Sequence, residues 1–210
     1  MSQSLSPQFS APQQQALAAR LGMWVFLATE ALFFGPLLLG YAYVRLRFPE
    51  AAGEASRHTS MALGTANTAI LLTSSLCMAL ALEAQKAHPQ RRCALLLRVT
   101  AALGLIFLAI KGVEYAREAG EHLFPGPGFA PGTVAPALRD GVQLFFLLYF
   151  ALTGLHALHL AVGCVACLLL AWRRSDNAVE VAGLYWHFVD VVWVVLYPLL
   201  YLVQRSGGTS

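Results

Sequence analysis

Seven ionisable side chains lie within otherwise uncharged, apolar stretches of this 210-residue chain, and their types are those that carry out chemistry. A charge in apolar surroundings is costly unless it is paired, so each is expected to face protein or water. Such groups can carry protons, bind a metal or a haem, or hold helices together through hydrogen bonds. The seven residues are Glu30, Lys111, Glu114, His156, His159, His187 and Asp190.

Six of these residues form three pairs spaced three apart, a separation that places both members on one face of a helix. The pairs are Lys111 with Glu114, His156 with His159, and His187 with Asp190. The first pair is predicted to be an ion pair near a membrane boundary, where each charge offsets the burial of the other. In the third pair the carboxylate is expected to fix the orientation of the imidazole, as part of a hydrogen-bonded contact between helices.

The two histidines three apart raise the question of a metal or haem site. A haem held by two histidines needs ligands on facing helices, and a zinc site needs three or four ligands. Polar packing between helices is therefore the favoured interpretation of His156 and His159. Cys164 and Cys167 have the spacing of a redox pair, but cysteine within an apolar helix behaves as a small hydrophobic residue. The sequence predicts no metal ligands and no catalytic residues in this chain.

Glu30 has no charged neighbour within a helical turn and stands among large apolar side chains, of which Trp24, Phe33 and Phe34 are examples. Two roles stay open for it at this point. It either handles protons or donates a hydrogen bond to a neighbouring helix through a protonated carboxyl.

The composition identifies the surroundings of these residues as lipid. Hydrophobic residues make up 58% of the chain and charged residues 12%, with a mean hydropathy of +0.61. That charged fraction is about half of what soluble globular proteins have. The net charge of +3, from 14 basic and 11 acidic residues, provides no basic surface for nucleic acid. Soluble, disordered and nucleic-acid-binding classes are all disfavoured.

Five apolar stretches have the length of about 20 residues that a helix needs to cross a bilayer. The predicted fold is all-α, a polytopic membrane protein with a bundle of five transmembrane helices, because the stretches do not alternate as barrel strands do. Residues 18–206 form this domain, after a soluble tail over 1–17. Pro49 and Gly53 indicate the first connection, and His88 and Pro89 the second. The predicted spans are 21–45, 59–83, 94–115, 140–172 and 183–203.

Orientation does not follow from the positive charges. With the N-terminus inside, six arginines and lysines fall on each side of the membrane. The positive-inside rule therefore makes no choice between the two orientations.

Five segments resemble, in order, the helices of subunit III of haem-copper cytochrome c oxidases. The most specific is YWHFVDVVW at 185–193, which resembles the last helix of that family. The others carry most of the ionisable residues named above. They are GMWVFLATEALFF at 22–34, NTAILLTSS at 67–75, GLIFLAIKGVEY at 104–115 and LTGLHALH at 152–159.

The resemblance implies a non-catalytic core subunit of a respiratory oxidase, without cofactors of its own. Haems and copper are then expected in subunits I and II, with subunit III packed on subunit I, in contact with other subunits and with bound phospholipid. It also implies support of proton uptake and of the stability of the catalytic subunit. The expected location is the bacterial inner membrane, with the N-terminus cytoplasmic and the C-terminus external. The first two helices of the longer family members have no counterpart here.

Alternatives remain at this stage. Within the family, the chain is either a cytochrome c oxidase subunit, subunit III of a quinol oxidase, or the related small subunit of a nitric oxide reductase. Outside it, a proton-coupled carrier would use Glu30, but neither an inverted repeat nor a broken helix is evident. A membrane haem protein would use the histidines as ligands.

Overall fold

The computed structural model describes residues 7–86, 90–130, 132, 134–173 and 176–202. The described part of the chain is helical, with short connections. The helices are α1 (Pro12–Arg47), α2 (Pro49–Arg57), α3 (Met61–Lys86), α4 (Gln90–Gly120), α5 (Arg139–Arg173) and α6 (Asp176–Tyr197). A 3₁₀ turn (Pro136–Leu138) precedes α5, and a π-helical turn (Pro198–Leu202) continues α6.

Five of these helices, α1, α3, α4, α5 and α6, are long and apolar enough to cross a membrane. The all-α, five-span prediction is confirmed. Most helix ends lie beyond the predicted spans, because polar residues there continue the hydrogen-bonded backbone past the apolar region, whereas α3 begins two residues inside its predicted span. Residues 12–17, which the sequence places in a polar tail, belong to α1.

The first connection differs from the prediction, since Pro49 and Gly53 lie within a helix rather than a loop. Proline is well suited to the first turn of a helix, where its missing N–H has no partner to lose. Ala51, Ala52 and Ala55 are buried in this short helix, α2, which packs against the start of α5. A Cβ added to Gly141 of α5 would lie 2.6 Å from the Cβ of Ala51. His88 and Pro89 lie outside the described residues.

Helices α3, α4, α5 and α6 form the centre of the bundle, and α1 lies against α5 and α6. Only 11% of the most apolar stretch of α1 is buried, against 44% for the last span, so α1 is the most peripheral membrane helix. The hydroxyl of Tyr41 nevertheless donates to the carbonyl of Leu199, which ties α1 to the π-helical turn.

Close helix contact depends on Gly104 of α4. A Cβ at this position would lie 2.6 Å from Cys164 Sγ of α5 and 2.9 Å from the Trp186 ring of α6. Small residues permit such approach where three helices meet in a membrane. This contact fixes how α4 is placed relative to the helices that carry the buried histidines.

Candidate functional site

The largest buried polar cluster surrounds the ammonium group of Lys111. Its Nζ donates to Glu114 Oε2 at 2.8 Å, to the Tyr149 hydroxyl at 3.0 Å and to the Tyr201 hydroxyl at 2.9 Å. Tyr201 in turn donates to Glu114 Oε1 at 2.9 Å. The ion pair that the spacing predicts is thus present, and it joins α4 to α5 and to the turn that follows α6.

Aromatic rings complete this cluster. The ammonium nitrogen of Lys111 lies 4.9 Å from the ring centre of Tyr149, 5.1 Å from that of Tyr115 and 5.7 Å from that of Trp193. The negative face of an aromatic ring attracts a cation, most strongly where water is excluded. The cluster therefore holds a charge inside the bundle with its hydrogen-bonding capacity used and apolar groups around it.

Glu118 extends the cluster by one turn of α4 and was missed at the sequence level. It is buried, with 2% of its surface exposed. A sequence signal existed, because Lys111, Glu114 and Glu118 follow the i, i+3, i+7 spacing of one helix face. Tyr149 and Tyr201 offered no such signal, since their contacts with Lys111 span 38 and 90 residues of sequence.

A second polar contact joins α1 to α5 through Glu30 and His159. The Glu30 Oε2 atom lies 2.9 Å from His159 Nε2, and His159 Nδ1 lies 2.9 Å from the carbonyl oxygen of Leu155. A carbonyl only accepts, so Nδ1 carries a hydrogen and the shared proton lies between Nε2 and the carboxyl. The hydroxyl of Tyr185, on α6, donates to the backbone oxygen of His159 at 2.9 Å.

His187 and Asp190 face each other at the limit of ion-pair distance, but the predicted hydrogen-bonded contact is made by a different residue. His187 Nδ1 lies 4.0 Å from Asp190 Oδ2, beyond hydrogen-bond distance, whereas it lies 3.0 Å from the Ser75 hydroxyl of α3. The serine is the better placed partner because it projects from the neighbouring helix directly at the ring. Asp190 is buried, and its carboxyl oxygens have no hydrogen-bond partner among the described residues.

His156 and His159 are three residues apart, but their imidazole rings lie in different surroundings. His156 is buried between aromatic rings, with its ring centre 5.5 Å from that of Phe107 and 5.1 Å from that of Trp193. Neither of its nitrogens has a hydrogen-bond partner within the described part of the chain. The two imidazoles thus do not converge on one position.

Among the residues that the structure describes (7–86, 90–130, 132, 134–173 and 176–202), no group of three or more His, Cys, Asp or Glu side chains could hold a metal ion. Cys164 and Cys167 are buried free thiols, and Cys164 Sγ lies 3.7 Å from the carbonyl oxygen of Ala101. Lys111 and Glu30 contact polar groups on other helices, and these contacts hold the helices of the bundle together.

Comparison with known proteins covers nearly the whole chain. Residues 8–204 match the family described as cytochrome c oxidase subunit III. A cytochrome c oxidase subunit 3 from Alkalihalophilus pseudofirmus is 32% identical over 94% of both chains. A haem-copper oxidase subunit I+III from Aeropyrum pernix is 30% identical over 88% of this chain and 22% of its own length. A probable quinol oxidase subunit 3 from Staphylococcus aureus is 27% identical over 88% of both chains.

The matched region contains all five membrane-spanning helices and each of the buried polar contacts described above. The match therefore covers the part of the chain that determines the fold, rather than one motif within it. This chain belongs to the cytochrome c oxidase subunit III family.

Proposed function

We propose that this chain is the non-catalytic subunit III of a haem-copper cytochrome c oxidase in an aerobic respiratory chain. The observation that carries the proposal is the family match over 8–204, supported by polar groups that hold helices to one another. In this role it packs on subunit I, supports proton uptake and stabilises the catalytic subunit. Haems and copper belong to subunits I and II.

Subunit I is the direct partner in this proposal. The relative from Aeropyrum pernix is named subunit I+III, and a fusion of the two subunits supports their being neighbours. Contacts with subunit II and with further subunits follow as a second expectation. The peripheral helix α1 leaves large apolar side chains exposed for such contacts or for lipid, among them Trp24, Leu32 and Phe33.

Bound phospholipid is also part of the proposal. An apolar groove of about 530 Å³ runs between α1, α5 and α6, and its walls include Phe26, Leu169 and Tyr185. Acyl chains suit such a surface because it offers almost no polar group. Arg20 and Glu180 form an ion pair of 3.3 Å beside the start of α1 and α6, where a headgroup would lie.

The proposed location is the bacterial inner membrane, with a cytoplasmic N-terminus and an external C-terminus. The proposed soluble tail over 1–17 then includes the first turns of α1, and 18–206 form the membrane domain. Cysteine-specific labelling of intact cells tests the orientation. A single cysteine placed in the 121–135 connection is expected to react with a membrane-impermeant reagent, whereas one placed before Pro12 is not.

Cytochrome c is the proposed electron donor. The relative named as a cytochrome c oxidase subunit has 32% identity, against 27% for the relative named as a quinol oxidase subunit. A subunit of a quinol oxidase or of a nitric oxide reductase is therefore the second choice for this chain. The experiment is to delete this chain and assay membranes with reduced cytochrome c and with quinol. Selective loss of sustained cytochrome c oxidation is expected, and selective loss of quinol oxidation would contradict the assignment.

A further inference from the structure

Three ionisable side chains share one buried face of α4, and their charges do not balance. Lys111 is 3% exposed, and Glu114 and Glu118 are each 2% exposed. With all three ionised, the cluster would have a net charge of minus one. An isolated charge removed from water is strongly unfavourable, so the surplus requires a counter-charge or a proton.

Lys111 has no free N–H donor for a hydrogen bond to Glu118. An ammonium group has three N–H donors, and here they go to Glu114, Tyr149 and Tyr201. Glu114 is also satisfied, since one oxygen accepts from Lys111 and the other from Tyr201. The lysine and the first glutamate thus form a complete neutral pair.

Glu118 is left without compensation. Neither of its carboxyl oxygens has a hydrogen-bond partner among the described residues. The titratable groups that face it are Lys111 and Glu114 of α4, Glu121 just after that helix, and the Tyr149 hydroxyl of α5. Lys111 is the only cation among these four groups, and its donors are already used by other partners. Glu114 and Glu121 are carboxyls and cannot offset the charge of Glu118.

We propose that Glu118 is a proton-binding site, in which the carboxyl next to the Lys111–Glu114 pair holds a proton at neutral pH and makes the buried cluster neutral. The site lies in the last turn of α4, which ends at Gly120. Protons therefore reach it from the adjoining 121–135 connection rather than through the middle of the bilayer. This inference concerns charge within the chain and does not depend on the identity of the electron donor.

Infrared spectroscopy of the full chain tests the proposal. The chain is labelled with ¹³C-glutamate, purified in detergent at neutral pH, and compared with Glu118→Gln and Glu121→Gln. Glu121 lies directly after α4 and its side chain is 54% exposed, which makes it a matched control. Glu118→Gln is expected to lose one labelled carbonyl band of a protonated carboxyl, and Glu121→Gln is expected to keep it. Loss of carboxylate absorption instead would overturn the proposal.

The pH dependence of unfolding gives an independent measurement. A proton held by the folded chain and released on unfolding lowers stability as the pH rises above the usual range of glutamate. Between about pH 5 and pH 7 the unfolding temperature of the natural chain should fall more than that of Glu118→Gln. Parallel curves would overturn the proposal. So would a Glu118→Gln chain that fails to fold while Glu121→Gln folds, because the neutral amide closely resembles a protonated carboxyl.

Discussion

At the residue scale, the ammonium group of Lys111 is the centre of the largest polar cluster, with hydrogen bonds to three side chains on three helical segments. Lys111→Met would leave the Glu114 carboxylate buried without its counter-charge. Loss of one partner from a buried ion pair costs roughly 3–5 kcal/mol. We expect a lower unfolding temperature of the purified chain, measured by thermal unfolding. We also expect poorer retention of the chain in its complex, measured by gel filtration.

Lys86 provides the matched control for that substitution. It pairs with Glu83 at the same three-residue spacing, 2.9 Å apart, but the two side chains are 74% and 70% exposed. Exposed pairs contribute little because water and salt screen them. Lys86→Met should therefore leave the unfolding temperature nearly unchanged. Equal effects of the two substitutions would mean that burial does not determine the importance of the Lys111 pair.

Glu30 is expected to be dispensable for oxygen chemistry. Glu30→Gln keeps a hydrogen-bonding group facing His159, and the proposed redox centres lie in other chains. The initial rate of oxygen consumption by the complex should be preserved. Any defect should affect proton uptake or the time for which turnover continues. A polarographic assay measures both the initial rate and its decay. An immediate loss of oxygen consumption, in a complex that still assembles, would contradict this role.

Chemical labelling tests the surroundings of the same residue. The peripheral position of α1 places Glu30 within reach of reagents dissolved in lipid, and its side chain is 18% exposed. A lipid-soluble carbodiimide is expected to modify Glu30 in preference to Glu50 and Glu54 in α2. Mass spectrometry of digested membranes locates the adduct. Modification of the α2 carboxylates alone would show that the reagent does not reach Glu30.

Partners within one helical turn could be predicted from the sequence, and partners on other helices could not. The spacing of Lys111 and Glu114 specifies their contact, because helix geometry alone brings residues three apart together. The contact between Glu30 and His159 spans 129 residues and depends on how α1 lies against α5. His187 illustrates the reverse error, since a neighbouring helix supplies Ser75 in place of the aspartate three residues away.

At the element scale, apolar length predicted the membrane helices well, because a bilayer imposes one thickness on each of them. The short helix α2 escaped prediction, since Pro49 and Gly53 are typical of turns when their neighbours are not considered. Its helical form depends on burial of alanines against α5, which is a tertiary effect. The close helix contact at Gly104 likewise depends on tertiary packing.

Gly104 provides the test at this scale. Gly104→Ala would place a methyl group 2.6 Å from Cys164 Sγ and 2.9 Å from the Trp186 ring, so these side chains or α4 itself must shift. Overpacking of this kind costs about 1–3 kcal/mol. Gly112 of the same helix has no atom within 4 Å of an added Cβ and is the control. Thermal unfolding should separate the two variants, and an equal response would contradict the three-helix contact.

At the scale of the whole molecule, the five helices form a bundle whose polar groups largely bind one another across helices. The described residues contain no group able to hold a metal ion. The family match over 8–204 then gives the chain its place as a subunit of a larger oxidase. Composition and residue spacing alone predict a helical membrane protein. The oxidase family could be identified only from the sequence motifs.

The most direct measurement is purification of the oxidase through an affinity tag on this chain, in mild detergent. We expect a larger chain bearing haem and copper to be retained in constant proportion, with its reduced-minus-oxidised spectrum. We also expect this chain, once separated, to have neither haem spectrum nor copper. Purification of the chain without any haem-bearing partner, or haem that stays with the separated chain, would contradict the assignment as subunit III.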